Sequence, residues 1–339
     1  MTRKRVYPFV FFLAIIVQGY GQQDPQFSQY MYAILPINPG IAGTAGICAT
    51  LHYRQQWAGF YDSTENGIHK SSPRDIMFTL HAPIKKLHGG LGLTVLNDAA
   101  GFQTDITVKL AYSFKMNIGG GVLGIGPSFD LLSRKILTDH WVMGKSSDPI
   151  LVNGMGKSDM YFDVSLGAYY EMQNKWYAGI SATQLLCVIG GDKVYQKGAR
   201  HLYALGGYTY VIPSNPNWVL KPSALLKTDF KAVQVDITMA AEWSELFWFG
   251  ATYRAIDAVV LMAGAKPFVN YPSAIRGLEV AVAYDITTSQ MNAYRRGFDG
   301  RSFGSPEVVV KYCFNIVTKP TIYGYKGTRL LGNRPIEYR

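Results

Sequence analysis

From residue 46 onward, apolar and polar positions alternate one for one rather than every third or fourth residue. In "DITVKLAYSFK" (105–115), Ile106, Val108, Leu110, Tyr112 and Phe114 share one face, and Asp105, Thr107, Lys109, Ala111 and Ser113 share the other. In "VQVDITMAAEW" (233–243), Val233, Val235, Ile237 and Met239 oppose Gln234, Asp236, Thr238 and Ala240. In "EVVVKYCF" (307–314), Val308, Val310, Tyr312 and Phe314 oppose Glu307, Val309, Lys311 and Cys313. Strands whose second face is charged need water or paired charges there, and a barrel with lipid outside and a polar lumen supplies both. Fourteen such segments are predicted, near 46–57, 72–82, 89–97, 104–115, 121–134, 160–170, 174–183, 200–212, 217–228, 232–243, 246–254, 256–265, 276–287 and 305–314. Their lengths approach the ~9–11 residues that cross a bilayer at a tilt.

The connections alternate in length. With the first strand running outward from the periplasm, the outer loops include the long stretches 58–71, 135–159, 184–199 and 288–304. The inner turns include the short stretches 83–88, 116–120, 171–174, 213–216 and 244–245. Three outer connections are also short, and 266–275 is long for an inner turn. The pattern predicts an all-β fold: a transmembrane antiparallel β-barrel of about 14 strands over 46–314, with both termini periplasmic.

The residues before the barrel read differently. Thr2-Arg3-Lys4-Arg5, the apolar run 6–17 and small residues at Gly19 and Gly21 make a signal peptide, 1–21, with cleavage expected after Gly21. The run is shorter than a helical membrane span. No cysteine follows the cleavage site, which argues against a lipoprotein. The next segment, "QQDPQFSQYMYAILPINPGIAG" (22–43), is broken by Pro25, Pro36 and Pro39 yet dense in Phe27, Tyr30, Met31, Tyr32, Ile34 and Leu35. It is a poor helix or strand and too aromatic for a free linker. Residues 22–45 are therefore expected as a periplasmic N-terminal segment that either folds into the lumen as a plug or projects as a strap against a partner. A basic tail, 315–339, follows the last strand and is also placed in the periplasm.

Composition agrees. Charged residues are only 17% of the chain against 48% hydrophobic, and there are 23 tyrosines and 35 glycines. That is low charge for a soluble protein. No helix-spanning apolar stretch follows the signal peptide. The net charge of +10 includes three positives before the cleavage site, and the remainder suits anionic lipid or an acidic partner. Nucleic acid is not expected, because the chain is exported and lacks a clustered basic module. The basic outer loop "NAYRRGFDGR" (292–301) is read first as a rim for lipopolysaccharide phosphates and second as a contact for cargo or a partner.

Candidate chemistry is sparse. Of six histidines, His52 and His81 fall on the inner face of neighbouring strands, where a lumen hydrogen-bond network is the expected role. No nucleophile, base and orienting group converge near the rim, so no enzyme is expected. No Cys, and no clear carboxylate at ligand spacing, accompanies the histidines, so no metal is expected. "GGGVLGIG" (119–126) has the look of a phosphate loop but opens a strand rather than a helix, so no cofactor is expected. Arg54 points inward and should pair with a lumen carboxylate, with Glu279, Asp285 and Asp236 as candidates. An unpaired charge there would be costly.

Three cysteines, Cys48, Cys187 and Cys313, allow at most one bridge. Closing an even-stranded barrel sets the first strand against the last, with Cys48 and Cys313 both inner-facing near the periplasmic rim. Opposite Cβ atoms stand ~4.5–5.5 Å apart, close to what a disulfide needs. The bridge would clip the seam. The preferred expectation is nonetheless two unbridged lumen residues, because a single step of register turns one thiol to the lipid.

Four stretches resemble the PorP/SprF family of outer-membrane proteins of the type IX secretion system: "DPQFSQYM" (24–31), "NPGIAGT" (38–44), "YRQQWAGF" (53–60) and "GGLGLTVLNDAAG" (89–101). "RHLYALGGYTY" (200–210), "LKPSALLK" (220–227), "FWFGATYRAIDAV" (247–259) and "AYDITTSQM" (283–291) extend the likeness over nearly the whole mature chain. Two features depart from it: Pro306 stands where the family shows a histidine before the glutamate, and the basic tail runs past the last strand. The resemblance implies a non-enzymatic component of secretion and gliding in the outer membrane of a Gram-negative bacterium. Implied partners are the translocon, the periplasmic lipoprotein ring, or the C-terminal domain of secreted adhesin cargo, beside outer-membrane lipid and lipopolysaccharide. The other class of function is a passive or substrate-specific channel. Asp24, Pro25, Gln26, Phe27, Ser28, Gln29, Tyr30, Tyr32, Asn38, Pro39 and Gly43 are the expected partner-binding or lumen-sealing residues, because a simple porin needs no such leader.

Overall fold

The computed structural model describes residues 25–44, 46–59, 61–64, 67–70, 72–101, 103–136, 158–173, 175–186, 199–255, 257–269, 274–288, 304–314, 329–330 and 335–336. The expected signal peptide, Asp24, Cys187, the 292–301 loop and most of the 315–339 tail lie outside the described residues.

The wall has fourteen strands: β1 Cys48–Gln55, β2 Arg74–Ile84, β3 Gly89–Ala100, β4 Gln103–Ile118, β5 Gly121–Ile136, β6 Ser158–Met172, β7 Trp176–Thr183, β8 His201–Tyr208, β9 Trp218–Thr228, β10 Val233–Trp243, β11 Phe247–Arg254, β12 Ala258–Ala265, β13 Leu278–Thr287 and β14 Ser305–Cys313. Each pairs antiparallel with its neighbours in sequence, and β1 pairs with both β2 and β14, so the sheet closes. All fourteen expected segments are strands. Their lengths are less even than expected. β4 and β5 run 16 residues and β6 15, whereas β7, β8, β11 and β12 run 8, so the wall is tallest on one side. The segment expected at 200–212 breaks at Thr209 and resumes as the short piece Tyr210–Val211.

Period-two alternation makes the barrel inside out relative to a soluble protein. On β1, Cys48, Thr50, His52 and Arg54 are buried while Leu51 and Tyr53 are exposed. Leu110, Phe129, Leu166, Ile180, Phe249 and Leu261 continue the exposed apolar band, the pattern of the outer face of a transmembrane barrel. At the short-turn end, Tyr170 and Trp176 lie 4.9 Å apart and Trp243 and Phe247 6.5 Å apart, as in an interfacial aromatic girdle.

The expectation of unbridged seam cysteines is corrected. Cys48 stands directly opposite Cys313, with Cα atoms 4.1 Å apart, and the two sulfurs are bonded. No slip intervenes, because Arg54 opposite Glu307 and Thr50 opposite Lys311 hold the same register along the seam. The clip spans 265 residues of chain, which in the chain-entropy picture limits the unfolded state by on the order of 5 kcal/mol. Non-reducing peptide mapping should recover the two cysteine peptides joined. Recovery of both separately, each alkylated without reductant, would contradict the bridge.

Of the two placements expected for the N-terminal segment, the structure shows the plug. Residues 25–44 lie inside the barrel. They start near the long-loop end, where Gln26 meets Arg54 and Asp236, and finish at the short-turn end, where Gly43 lies against Gly90 and Pro83. Among the described residues, all four buried apolar clusters include or pack against this segment: Phe27 and Ala33 with Met77 and Leu96, Tyr30 and Ile34 with Tyr203 and Leu205, Leu35 and Ala42 with Ala111, and Met31 and Tyr32 against the Trp248 group. The wall turns its own large apolar side chains outward, so the segment supplies much of the core.

Candidate functional site

The candidate site is the filled lumen. Two short 3-10 turns, Tyr30–Tyr32 and Pro39–Ile41, shape the segment. Its lower half is the NPGIAGT stretch, and each residue type there has a steric or hydrogen-bonding reason. The Asn38 side chain caps the second turn by accepting from Gly40 N at 2.9 Å, and its amide donates to Ala168 O at 3.0 Å and Ile180 O at 3.3 Å on β6 and β7. Pro39 at the first position of the turn has its φ preset for it. Gly40 is pressed to the wall: a Cβ there would lie 2.8 Å from Gly124 O and from Tyr169 N. The wall is cut to match, since a Cβ on Gly167 would come within 2.2 Å of Asn38 Oδ1. Gly43 has φ +74, a conformation that favours glycine. Ser113 Oγ and Lys115 Nζ both donate to Gly40 O, at 2.7 and 2.8 Å, and Lys115 also reaches Thr44 Oγ1 at 2.6 Å.

The upper half, from the DPQFSQYM stretch, is held by charge. The Glu307 carboxylate accepts from Ser28 N at 2.7 Å and Gln29 N at 3.0 Å. Arg54 donates to Gln26 O, and Gln26 Nε2 donates to Asp236 at 3.3 Å. Tyr30 OH meets Ser223 Oγ at 2.7 Å. Tyr32 OH donates to Glu279 at 2.5 Å, and the Lys311 ammonium lies 5.5 Å from the centre of the Tyr32 ring.

Behind these contacts runs a chain of buried ion pairs. Arg54 lies 3.4 Å from Asp285 and 3.9 Å from Glu307, and Arg254 lies 2.9 Å from Asp285 and 3.3 Å from Asp236. Of the three carboxylates expected for Arg54, Asp285 pairs with it, Asp236 belongs to Arg254, and Glu279 takes the Tyr32 hydroxyl. Glu307 and Arg254 were not foreseen in these roles. Their inward alternation was readable, but the strand partner of each was not. His52 and His81 are on the lumen face, His81 opposite Cys48. The His52 ring packs edge-on to Phe27 at 5.1 Å, and its Nδ1 lies 3.9 Å from the Glu307 carboxylate.

The sites expected for partner binding are thus largely enclosed. Phe27, Ser28, Gln29, Tyr30, Asn38 and Pro39 are buried against the wall, so they are not displayed as a docking surface. Pro25, Gln26, Tyr32 and Gly43 are partly buried beside them.

A closed antiparallel barrel with an even strand number, an apolar outer band and a charged, filled lumen defines a transmembrane protein of the outer-membrane type. The sequence model of the type IX secretion system membrane protein PorP/SprF matches residues 19–299, and the chain belongs to that family. No match is found among curated proteins. Among solved structures, the chain is similar to the TodX deltaS2S3 mutant monoaromatic hydrocarbon channel, with a TM-score of 0.49 and 10% identity over 84% of this chain and 94% of that one. It is also similar to the Ralstonia pickettii toluene transporter TbuX (TM-score 0.45, 10% identity, 83% and 93% covered) and to Acinetobacter baumannii Omp33 (TM-score 0.41, 7% identity, 80% and 99% covered). Likeness at this level carries no argument about transport.

Proposed function

We propose that the protein is a non-enzymatic docking component of the type IX secretion machinery in the outer membrane, with short turns in the periplasm and long loops outside. It engages the translocon, the periplasmic lipoprotein ring or a cargo C-terminal domain through its rims, while lipid and lipopolysaccharide surround the wall. The observation that carries this reading is the filled lumen. Its own N-terminal segment occupies the space a porin leaves open, and the contacts of that segment reach strands around the wall, at Ser113 on β4, Ala168 on β6, Ser223 on β9 and Glu307 on β14. Affinity purification of the tagged protein from native membranes should bring down a lipoprotein of the ring or a cargo C-terminal domain. Recovery of neither above an untagged control would overturn the docking reading.

One observation favours a gated, substrate-specific channel as the second reading. The Ser28 hydroxyl and the Gln29 amide are buried without hydrogen-bond partners among the described residues. Leaving the lumen would relieve that cost, ~1–3 kcal/mol for each unsatisfied group.

A further inference from the structure

The short-turn end of the lumen carries more positive charge than its carboxylates balance. Lys221 on β9 and Lys266, just past the end of β12, both reach one oxygen of Glu242, at 2.9 and 2.7 Å. Lys311 on β14 stands directly opposite Glu279 on β13, a placement in which opposite charges ordinarily pair across the ladder. They form no ion pair here. The Glu279 carboxylate accepts from the Tyr32 hydroxyl at 2.5 Å, and the Lys311 ammonium is left 5.5 Å from the centre of the Tyr32 ring. Among the described residues Lys311 has no carboxylate partner. Three ammoniums therefore face two carboxylates. On the facing wall Lys115 and Glu171 carry one charge of each sign and leave that excess unchanged.

Solvent reaches this cluster: the Lys221 side chain is 39% exposed and that of Lys266 22%. The surrounding rim has the same sign. Lys86 and Lys175 are exposed on the inner turns, where Glu245 is the opposing acid. Arg276 is half-buried on the turn that packs over Cys313 at the end of β14, and its Nε has no hydrogen-bond partner among the described residues. The sequence then runs on into 315–339 with five Lys or Arg and one Glu, so the chain's own tail has the wrong sign to neutralise the mouth.

A charge withdrawn from water without a counter-ion is costly, and electrostatic complementarity selects the partner that supplies one. We propose that this mouth is an anion-binding site for an acidic peptide segment of a periplasmic partner, with Lys311, Lys221 and Lys266 as the receiving ammoniums. The inference rests on the docking reading and gives its inner-rim contact a chemistry. Tyr32 assembles the site: by holding Glu279 it keeps Lys311 free for a carboxylate from outside the chain. Seating of the N-terminal segment and capture of the partner are thereby coupled, and each strengthens the other.

The test measures the fluorescence anisotropy of a labelled hexaglutamate peptide against the purified full-length mature protein in a neutral detergent, with hexaglutamine as the uncharged control. The glutamate peptide should bind and the glutamine peptide should not. Lys311→Gln should weaken binding about tenfold, the worth of one charge-assisted hydrogen bond. Lys221→Gln, at a more exposed position, covers the case in which Lys311→Gln does not fold and should weaken binding in the same direction. Lys231→Gln, the same charge change on an exposed residue at the long-loop end, should leave binding unchanged. Tyr32→Phe should weaken it with every lysine in place, because Glu279 is released to Lys311; affinity equal to wild type in that variant would overturn the coupling. The acidic-peptide site itself is overturned if the wild type does not bind, if Lys231→Gln weakens binding as much as Lys311→Gln, or if inorganic phosphate at the peptide's own concentration displaces it. Anisotropy needs no native partner, so a failure here is distinct from an empty affinity purification, which overturns the docking reading instead.

Discussion

Planar bilayers loaded with the purified protein stay silent, and those loaded with a variant lacking residues 25–37 show resolved current steps; this is the largest effect expected. The deleted stretch holds Phe27, Tyr30, Ala33, Ile34 and Leu35, the buried apolar filling of the lumen. The Asn38–Thr44 anchor, the strand ladders and the Cys48–Cys313 clip all remain. The barrel should therefore still close, with the space left to water. A milder variant, Phe27→Ala with Tyr30→Ala, keeps the backbone contacts to Glu307 but loses two large side chains, and truncating one buried aromatic costs ~3–5 kcal/mol. It should leak intermittently. Steady conduction by the wild type would instead establish the channel reading. A folded deletion variant that stays silent would remove the sealing role from the segment.

Arg254→Met should be the most damaging single change in the wall. Arg254 is 1% exposed and lies between Asp236 and Asp285, which are themselves almost fully buried. Removing the guanidinium leaves Asp236 without its cation and Asp285 with only the Arg54 contact at 3.4 Å, and breaking a buried pair in this way costs ~3–5 kcal/mol. The temperature at which the barrel loses its compact mobility on gels should fall markedly. Adding Asp236→Asn and Asp285→Asn should recover much of the loss, because neutral amides need no counter-charge. Equal stability of Arg254→Met and wild type would mean that water, rather than Arg254, balances the acids.

The wall was legible because a strand of period two declares its faces residue by residue. Cys48, His52 and Arg54 fall on the inner face by counting alone, and the structure puts them there. What counting cannot supply is which residue stands across the ladder. Asp236 meets Arg254, not Arg54, because β10 pairs with β11 and is several strands from β1. The cysteine bridge hung on the same unknown, one step of register at the seam. The segment before the barrel was legible as something needing burial. Its place was not, because the fit of Asn38 to Gly167 and of Gly40 to Gly124 joins positions more than 80 residues apart whose complementarity shows only when the wall is curved. The extra length of β4–β6 falls at both ends: β4 continues through Met116–Ile118 at its inner end, and β5 and β6 continue through Lys135–Ile136 and Ser158–Asp159 at their outer ends.

The threading of the segment has a consequence for biogenesis. Its N-terminal end lies near one mouth of the barrel and its C-terminal end leads into β1 at the other, so it cannot be added to a finished cylinder without passing through it. The cheaper order is for the strands to wrap around it as around a mandrel. In that order β14, the last wall strand made, performs the closing act. It zips onto β1, brings Cys313 to Cys48, and at the same stroke delivers Glu307 to the backbone of Ser28 and Gln29. An empty cylinder would leave that carboxylate without its two donors, so closure favours chains already loaded, and the seam works as an inspection point at the end of assembly.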